Sequence, residues 1–477
     1  MSKRGMAGWL ALSIGLSACG AASAVPSSAP SAGAPSGGSP RSVQAAPAAS
    51  ASGVAEKPSG AATSAPAPAA SVAPSGAQAS IKVGLIEPLT GPFADLAKDN
   101  IDGFNLYLSS VGGTVAGRKI EVVTADDRGQ TDVGLTKAKQ LVESDKVQVL
   151  GGITVTTVCY AVAAYVKEVQ VPLVVSGNCG AQNVMVDPKY KSPYVVRLTQ
   201  NATQLADPPA DWAYSQGLRK AILIGVDLGG TLENTDSFAS TFVKRGGSIV
   251  QEIHPAYGTA DFGPFLAQLD KTADLLTIFL PGTDGLHFLD QYASYAGQRK
   301  LQIIDGYGTN TAGPTLSQLN GKAAGVVGEF VYSEGIDMPE NASFLKAFHE
   351  KYPGRVVSGD VVQGYVGAQV LAAALTKVNG RIEDKDGFLK ALYTTDLRTP
   401  KGPVKLDQDH DVIENAYLWR IDMKGNAPVH TLLKTYPDVS RGWGRTPEEL
   451  ARFPYGKLKD KWVGMTKDRL DQIVAQG

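Results

Sequence analysis

The chain has 477 residues with 45 basic and 46 acidic side chains, a formal charge of −1, and only three cysteines. So even a balance excludes the concentrated basic surface that nucleic acid requires. The length exceeds what one core organises, so at least two domains are expected.

In chain order, Lys3 and Arg4 precede an apolar stretch from Trp9 to Leu16 and then Leu16-Ser17-Ala18-Cys19-Gly20. A cationic start, a short apolar run and small residues before a cut are marks of a secretory signal. The run is shorter than the roughly 20 apolar residues that span a bilayer. Leu-Ser-Ala-Cys resembles the bacterial lipobox, which implies lipidation of Cys19 after removal of 1–18; the alternative is a plain cut near Ala22 or Ala24. Residues 19–80 are nearly all Ala, Pro, Ser and Gly. They offer too little apolar side chain to offset ordering entropy, so a disordered tether reaching roughly 40–50 Å is expected. No later segment is apolar enough to cross a membrane. The expected location is a bacterial membrane, by lipid anchor, facing the periplasm or cell exterior.

From Ile81 onward, β-branched runs alternate with amphipathic ones. Strands are expected at Ile81 to Ile86, Lys119 to Ala125, Val147 to Gly151, Pro172 to Ser176, Lys220 to Val226, Ser248 to His254, Leu275 to Leu280 and Leu301 to Ile304. Helices are expected at Asn100 to Ser109, Val133 to Glu143, Phe262 to Leu269, Leu286 to Ala296 and Asp360 to Val378. Alternating βα units imply parallel sheets with helices on both faces. The strands divide into two groups of four, before Gln200 and after Leu218, with a break read at Asp207-Pro208-Pro209. Further crossings between lobes are expected near Tyr332 to Asp337 and at a hairpin of Val404 to Leu406 with Ala416 to Ile421, turned at Asp407 to Asn415. The expected division is 81–200 in lobe 1, 201–332 in lobe 2, 333–412 in lobe 1 again, 413–430 in the hinge and lobe 2, and 431–477 as a C-terminal extension.

Catalytic patterns are missing: there is no GxxxxGK[ST] loop, GxSxG elbow or HExxH, and the five histidines lack metal-ligand spacing. Neither metal nor cofactor is expected, and the chain is not read as an enzyme. A hydrolase would need an activated nucleophile in the cleft. Asp407, Asp409 and Asp411 hint at a calcium loop, but Val412 stands where the turn glycine belongs and Leu418 where the bidentate Glu belongs, so a solvated turn is expected. Ligands of open α/β sheets bind beyond the carboxyl ends of the strands. There stand Phe93, Thr154-Val155-Thr156, Ser176-Gly177-Asn178-Cys179, Asp227-Leu228, Thr283-Asp284 and Tyr307. Thr156 or Thr157 is expected to cap a helix whose free N–H groups suit a carboxylate.

The run Ile81-Lys82-Val83-Gly84-Leu85-Ile86-Glu87-Pro88-Leu89-Thr90-Gly91-Pro92-Phe93 resembles the opening of solute-binding proteins of branched-chain amino-acid ABC importers. Leu150-Gly151-Gly152, Val171-Pro172-Leu173-Val174, Tyr194 to Arg197 and Tyr365 to Leu371 continue the resemblance in order, over roughly 81–425. The resemblance implies a type I periplasmic-binding fold: two Rossmann-like lobes joined by a three-strand hinge that close on a ligand. It also implies a monomer that delivers a small molecule to ABC permease subunits; a sensor for a signalling system is the alternative. The tail around Tyr436-Pro437-Asp438, Trp443 and Thr446-Pro447-Glu448-Glu449 resembles extended members associated with aromatic or hydrophobic carboxylates. Position by position, Thr154 to Thr156 would hold the carboxylate, with Gly177 and Cys179 beside it. Tyr307 stands where amino-acid binders present an acid to the ammonium, so an amino-acid ligand would need Asp227, Asp284 or Asp305 instead. Amino acids and aromatic carboxylates both stay open. Cys159 and Cys179 follow neighbouring strands and are expected to close a disulfide; otherwise they are two small core residues.

Overall fold

A computed structural model describes residues 79–295, 301–308 and 312–476. The signal segment, Cys19 and residues 19–78 of the tether lie outside the described residues. All described residues fall within one unit, Val72–Gly477.

The first sheet has the order β2-β3-β1-β4-β5-β6, from strands β1 (Ile81–Glu87), β2 (Thr114–Val115), β3 (Arg118–Asp126), β4 (Val149–Gly152), β5 (Leu173–Val175) and β6 (Val195–Arg197). All its pairings are parallel except the short β2–β3 hairpin. Strand β1 is buried along almost its whole length, as expected for a central parallel strand with helices on both faces. Helices α1 (Ala94–Ser110), α2 (Thr131–Lys139) and α3 (Thr156–Val169) connect these strands.

The chain then enters α4 (Ala202–Ser215) and builds a second sheet from β7 (Lys220–Gly225), β8 (Ser248–Ile253), β9 (Leu275–Phe279), β10 (Gln302–Asp305) and β11 (Val327–Phe330), connected through α5 (Gly229–Arg245), α6 (Gly263–Leu266), α7 (Thr283–Tyr295) and α8 (Gly313–Gln318). It returns to the first lobe through α9 (Pro339–Lys351), α10 (Gly359–Lys377) and α11 (Lys385–Tyr393). Helix α10 lies directly on α1. A Cβ at Gly103 would sit 1.8 Å from the Val361 carbonyl oxygen, and one at Gly364 would sit 1.9 Å from that of Asn100, so glycine is required at both crossings. The last strands are β12 (Asp396–Thr399), β13 (Gly402–Leu406), β14 (Val412–Lys424) and β15 (Ala427–Val439), followed by α12 (Pro447–Arg452) and α13 (Lys467–Gln476).

Four features differ from the sequence-based expectations. The second sheet is mixed, because β14 enters through a hairpin and lies antiparallel to β11, β13 and β15. Strands β2, β6, β11, β12 and β15 have no counterpart among the expected strands. Pro208 and Pro209 do not break the chain but lie inside α4. That helix starts with a complete Asn201–Gln204 capping box, and its buried face packs against α5 and β11, which outweighs the hydrogen bonds that proline forfeits. The turn before β14 is only partly solvated, and its three aspartates are held by arginines. Asp411 is fully buried and pairs with the equally buried Arg197 at 2.6 Å, while Asp407 pairs with Arg441 at 3.2 Å and Asp409 also meets Arg441. Each lies near a guanidinium supplied by a distant part of the chain, which no local pattern discloses.

Residues past Tyr436 bury Leu450, Phe453, Tyr455, Leu458, Trp462, Met465, Leu470 and Val474 in the second lobe's core, beside Phe238 and Phe242 of α5. The extension is therefore a structural layer of that lobe. Cys159 and Cys179 form a disulfide with their Cα atoms 6.3 Å apart.

Candidate functional site

A cavity of about 240 Å³ lies between the lobes at the carboxyl ends of both sheets. From the first lobe it is lined by Phe93, Leu96, Gly129, Thr154 to Thr157, Asn178 and Gly180, with Gln363 from α10. The second lobe supplies Leu228 to Thr231, Asn234, Tyr257, Pro281, Gly282, Tyr307 and Phe330. Thr199, Gln200 and Leu205 come from the crossing between lobes.

Two helix N-termini meet at this cavity. Helix α3 begins after Val155 and α5 after Leu228, and neither has a side-chain cap. Thr156 and Thr157 therefore lie in the first turn and do not cap the helix, contrary to expectation. The first intrahelical bonds are donated by Cys159 N and Leu232 N, so the preceding N–H groups have no partner within their helices. The helix ends approach so closely that a Cβ at Gly230 would lie 2.6 Å from Thr156 Oγ1. Each N-terminus carries about half a positive charge, and two facing each other favour an anion between them. Among the described residues, no Asp, Glu, Lys, Arg or His lines the cavity.

The aromatic walls come from both lobes. Phe93 stacks on Tyr257 with centroids 5.7 Å apart and planes 10° from parallel. Tyr307 shares a 2.8 Å hydrogen bond with Thr231, and burial pushes its phenol up to about 12. Polar neighbours hold one another in place. Thr154 Oγ1 donates to buried Glu87 at 2.7 Å, and burial holds the Glu87 carboxyl well above the usual range. Gln363 Nε2 donates to Asn178 Oδ1 at 2.7 Å, and Asn178 Nδ2 donates to Asp360. Burial, reinforced by Asp99, raises Asp360 to about 7. Gln200 Nε2 donates to Glu329 at 2.9 Å. The side-chain oxygens of Gln200, Gln363 and Asn234, and the Tyr257 hydroxyl, are buried without a hydrogen-bond partner.

Of the residues singled out in the sequence, Phe93, Thr154, Val155, Thr156, Thr157, Asn178, Leu228 and Tyr307 line the cavity. The others do not. Ser176 is buried beneath α10, against Gly367, and Gly177 packs where a Cβ would meet the Ile153 carbonyl at 2.5 Å. Cys179 is buried in the disulfide. Asp227 points outward to Lys459 at 2.5 Å, and Thr283 is exposed beyond Gly282. Asp284 is buried and accepts Gly258 N at 2.9 Å, bracing the loop that carries Tyr257. Asp305 accepts Tyr307 N at 3.3 Å, so none of the three aspartates considered for an ammonium is on the wall. Sequence reasoning missed Gln200, Leu205, Asn234, Tyr257, Phe330 and Gln363. Tyr257 and Gln200 carried a local signal, since each lies just past a strand end.

A periplasmic binding protein family model matches residues 80–426. The Leu/Ile/Val-binding protein homolog 6 of Brucella melitensis biotype 1 is 30% identical over 344 residues, covering 71% of this chain and 86% of that one. A solute-binding protein of an R. palustris ABC transporter, solved with benzoate, is 25% identical with a TM-score of 0.70, covering 81% of this chain and 99% of that one. Another from Rhodopseudomonas palustris BisB5, solved with 3,4-dihydroxybenzoic acid, is 28% identical with a TM-score of 0.71, covering 76% and 98%. With two α/β lobes, a cleft at the strand ends and a family match over 80–426, this chain belongs to the periplasmic binding protein family and has its type I fold.

Proposed function

We propose that the chain is the solute-binding component of an ABC importer and that its ligand is an aromatic or similarly hydrophobic carboxylate. The observation that carries this reading is the pair of uncapped helix N-termini facing each other in a cavity on whose wall no described residue is charged. A carboxylate gains from both dipoles, whereas an α-ammonium would lie beside two positive ends with no acid on the wall to offset its desolvation. Phe93, Tyr257 and Tyr307 supply flat apolar surface for a ring. The buried oxygens of Gln363 and Asn234 are acceptors suited to a ring hydroxyl. The benzoate- and dihydroxybenzoate-bound relatives have the same chemistry in their ligands.

The test is calorimetric titration with benzoate, 4-hydroxybenzoate, leucine and 4-methylpentanoate, the des-amino analogue of leucine. Aromatic acids should bind at least tenfold more tightly than leucine, a difference of about 1.4 kcal/mol, and 4-methylpentanoate should bind no worse than leucine. Tight binding of leucine alone would refute the reading. The proposal includes delivery to a permease from a lipid anchor at Cys19, with residues 19–80 as the tether. No helix among the described residues is long and apolar enough to cross a membrane. Cys19→Ser should move the protein from the membrane fraction to the soluble one; retention would refute the anchor.

A further inference from the structure

We propose that Glu252, His254 and Asp460 form a zinc site that fastens the C-terminal extension to the edge of the second sheet. Glu252 and His254 are two residues apart at the end of β8, so the pleat puts both side chains on one face. Asp460 reaches them from the tail loop between α12 and α13. One donor atom from each residue lies within 4.8 Å of the other two. His254 Nε2 is 3.6 Å from Glu252 Oε2 and 3.6 Å from Asp460 Oδ1. Zinc bonds nitrogen and oxygen at about 2.0–2.2 Å, and the edge of such a tetrahedron is about 3.4 Å. The two spacings from His254 are close to that edge, so a small movement of the exposed Asp460 would let the three donors share one ion, with a fourth position left for water.

The second observation is the state of the buried donors. The side chains of His254 and Glu252 are 9% and 4% exposed, and His254 Nε2 meets only the Glu252 and Asp460 carboxylates, each at the long distance of 3.6 Å, with no closer hydrogen bond to it or to Glu252 Oε2. Buried atoms with only such long contacts are poorly satisfied. Their other atoms are already held. His254 Nδ1 donates to the Gly225 carbonyl at 3.0 Å, which turns Nε2 towards the two carboxylates. Glu252 Oε1 accepts Trp462 N at 2.6 Å. Histidine ligands of metals are oriented in this way, by a carbonyl on the far nitrogen. At 3.6 Å the contacts exceed hydrogen-bond length, so a proton on Nε2 would serve neither carboxylate well. Asp460 is 71% exposed and leaves an open side through which an ion can enter.

The site lies where the tail docks. Strand β8 is the edge of its sheet, and Val463 forms a parallel bridge to its Ile249. In the same loop Lys459 pairs with Asp227, and Trp462 Nε1 donates to Asp236 of α5 at 2.7 Å. An ion here ties the tail loop to the lobe whose α5 N-terminus walls the cleft. This inference does not depend on which ligand the cleft takes.

The experiment uses the untagged mature chain, stripped with chelator and titrated with zinc chloride by calorimetry, with magnesium chloride as the control. One zinc should bind per chain, raise the melting temperature and slow proteolysis between residues 454 and 466, and magnesium should do none of these. Asp460→Ala, at an exposed position, should keep the melting temperature of the metal-free protein and weaken zinc binding at least tenfold. His254→Gln should abolish stoichiometric binding. Failure to bind zinc, or equal binding by wild type and Asp460→Ala, would overturn the assignment.

Discussion

The Phe93–Tyr257 stack offers a sharp test of how the two lobes grip a ligand. Phe93 follows β1 in the first lobe and Tyr257 follows β8 in the second, so their contact exists only when the lobes are together. An aromatic pair contributes about 0.5–1.5 kcal/mol beyond area burial. Phe93 is half-buried, so truncating it to alanine also removes about 1 kcal/mol of apolar contact, roughly half the value for full burial of such a side chain. The closed state should thus lose about 2 kcal/mol relative to the open one. Because the ligand binds the closed state, that loss transfers to the dissociation constant, a weakening of about thirtyfold. Tyr257→Ala should weaken binding similarly, and the double variant should fall short of the sum by about 1 kcal/mol, the energy of the stack itself. Calorimetric titration with benzoate across the four proteins measures this coupling directly. Strict additivity, or single-variant losses below threefold, would refute the claim that the two rings form a latch between the lobes.

Asp360 provides a pH test. Its folded-state value of about 7, raised chiefly by burial and then by Asp99, lies above the unfolded value near 4. Between those values the unfolded chain has released the proton while the folded chain keeps it, so stability is retained at pH 4 and lost as pH rises to 7. Asp360→Asn should be indistinguishable from wild type in urea unfolding at pH 4 and more stable at pH 8 by on the order of 2 kcal/mol; equal differences at both pH values would contradict this. Asp411→Ala should cost about 3–5 kcal/mol, because it leaves the fully buried Arg197 guanidinium unpaired. A change in urea midpoint worth less than 1 kcal/mol would show that the pair is not needed. Reducing the Cys159–Cys179 bond, which closes a loop with a sequence separation of 20, should cost about 3 kcal/mol by the chain-entropy argument. An unchanged melting temperature after reduction would refute that figure.

Because βα units place a short apolar strand before each helix, the alternation of β-branched and amphipathic runs was enough to locate eight of the parallel strands, but not β6 or β11. That alternation also marked the strand-end loops, and Phe93, Thr154 to Thr156, Leu228 and Tyr307 stand on the cavity wall for this reason. Neighbouring residues in the same loops could not be sorted by sequence. Asn178 faces the cavity while Cys179 turns into the disulfide, and Leu228 faces it while Asp227 turns to Lys459. Which way each side chain points depends on the next strand and on packing from elsewhere in the chain. Gln200, Phe330 and Gln363 reach the site from a lobe crossing, a strand with no local signature and a helix that returns to the first lobe. Local propensity was likewise overruled at Pro208 and Pro209, where a buried face holds the helix together. Asp407, Asp409 and Asp411 read as a solvated turn until Arg197 and Arg441 come alongside. Sequence periodicity determined most of the parallel strands and their order, since it reports which faces must leave water. The tertiary structure alone decided which charges are paired and which polar atoms face the ligand, because those depend on partners tens to hundreds of residues away.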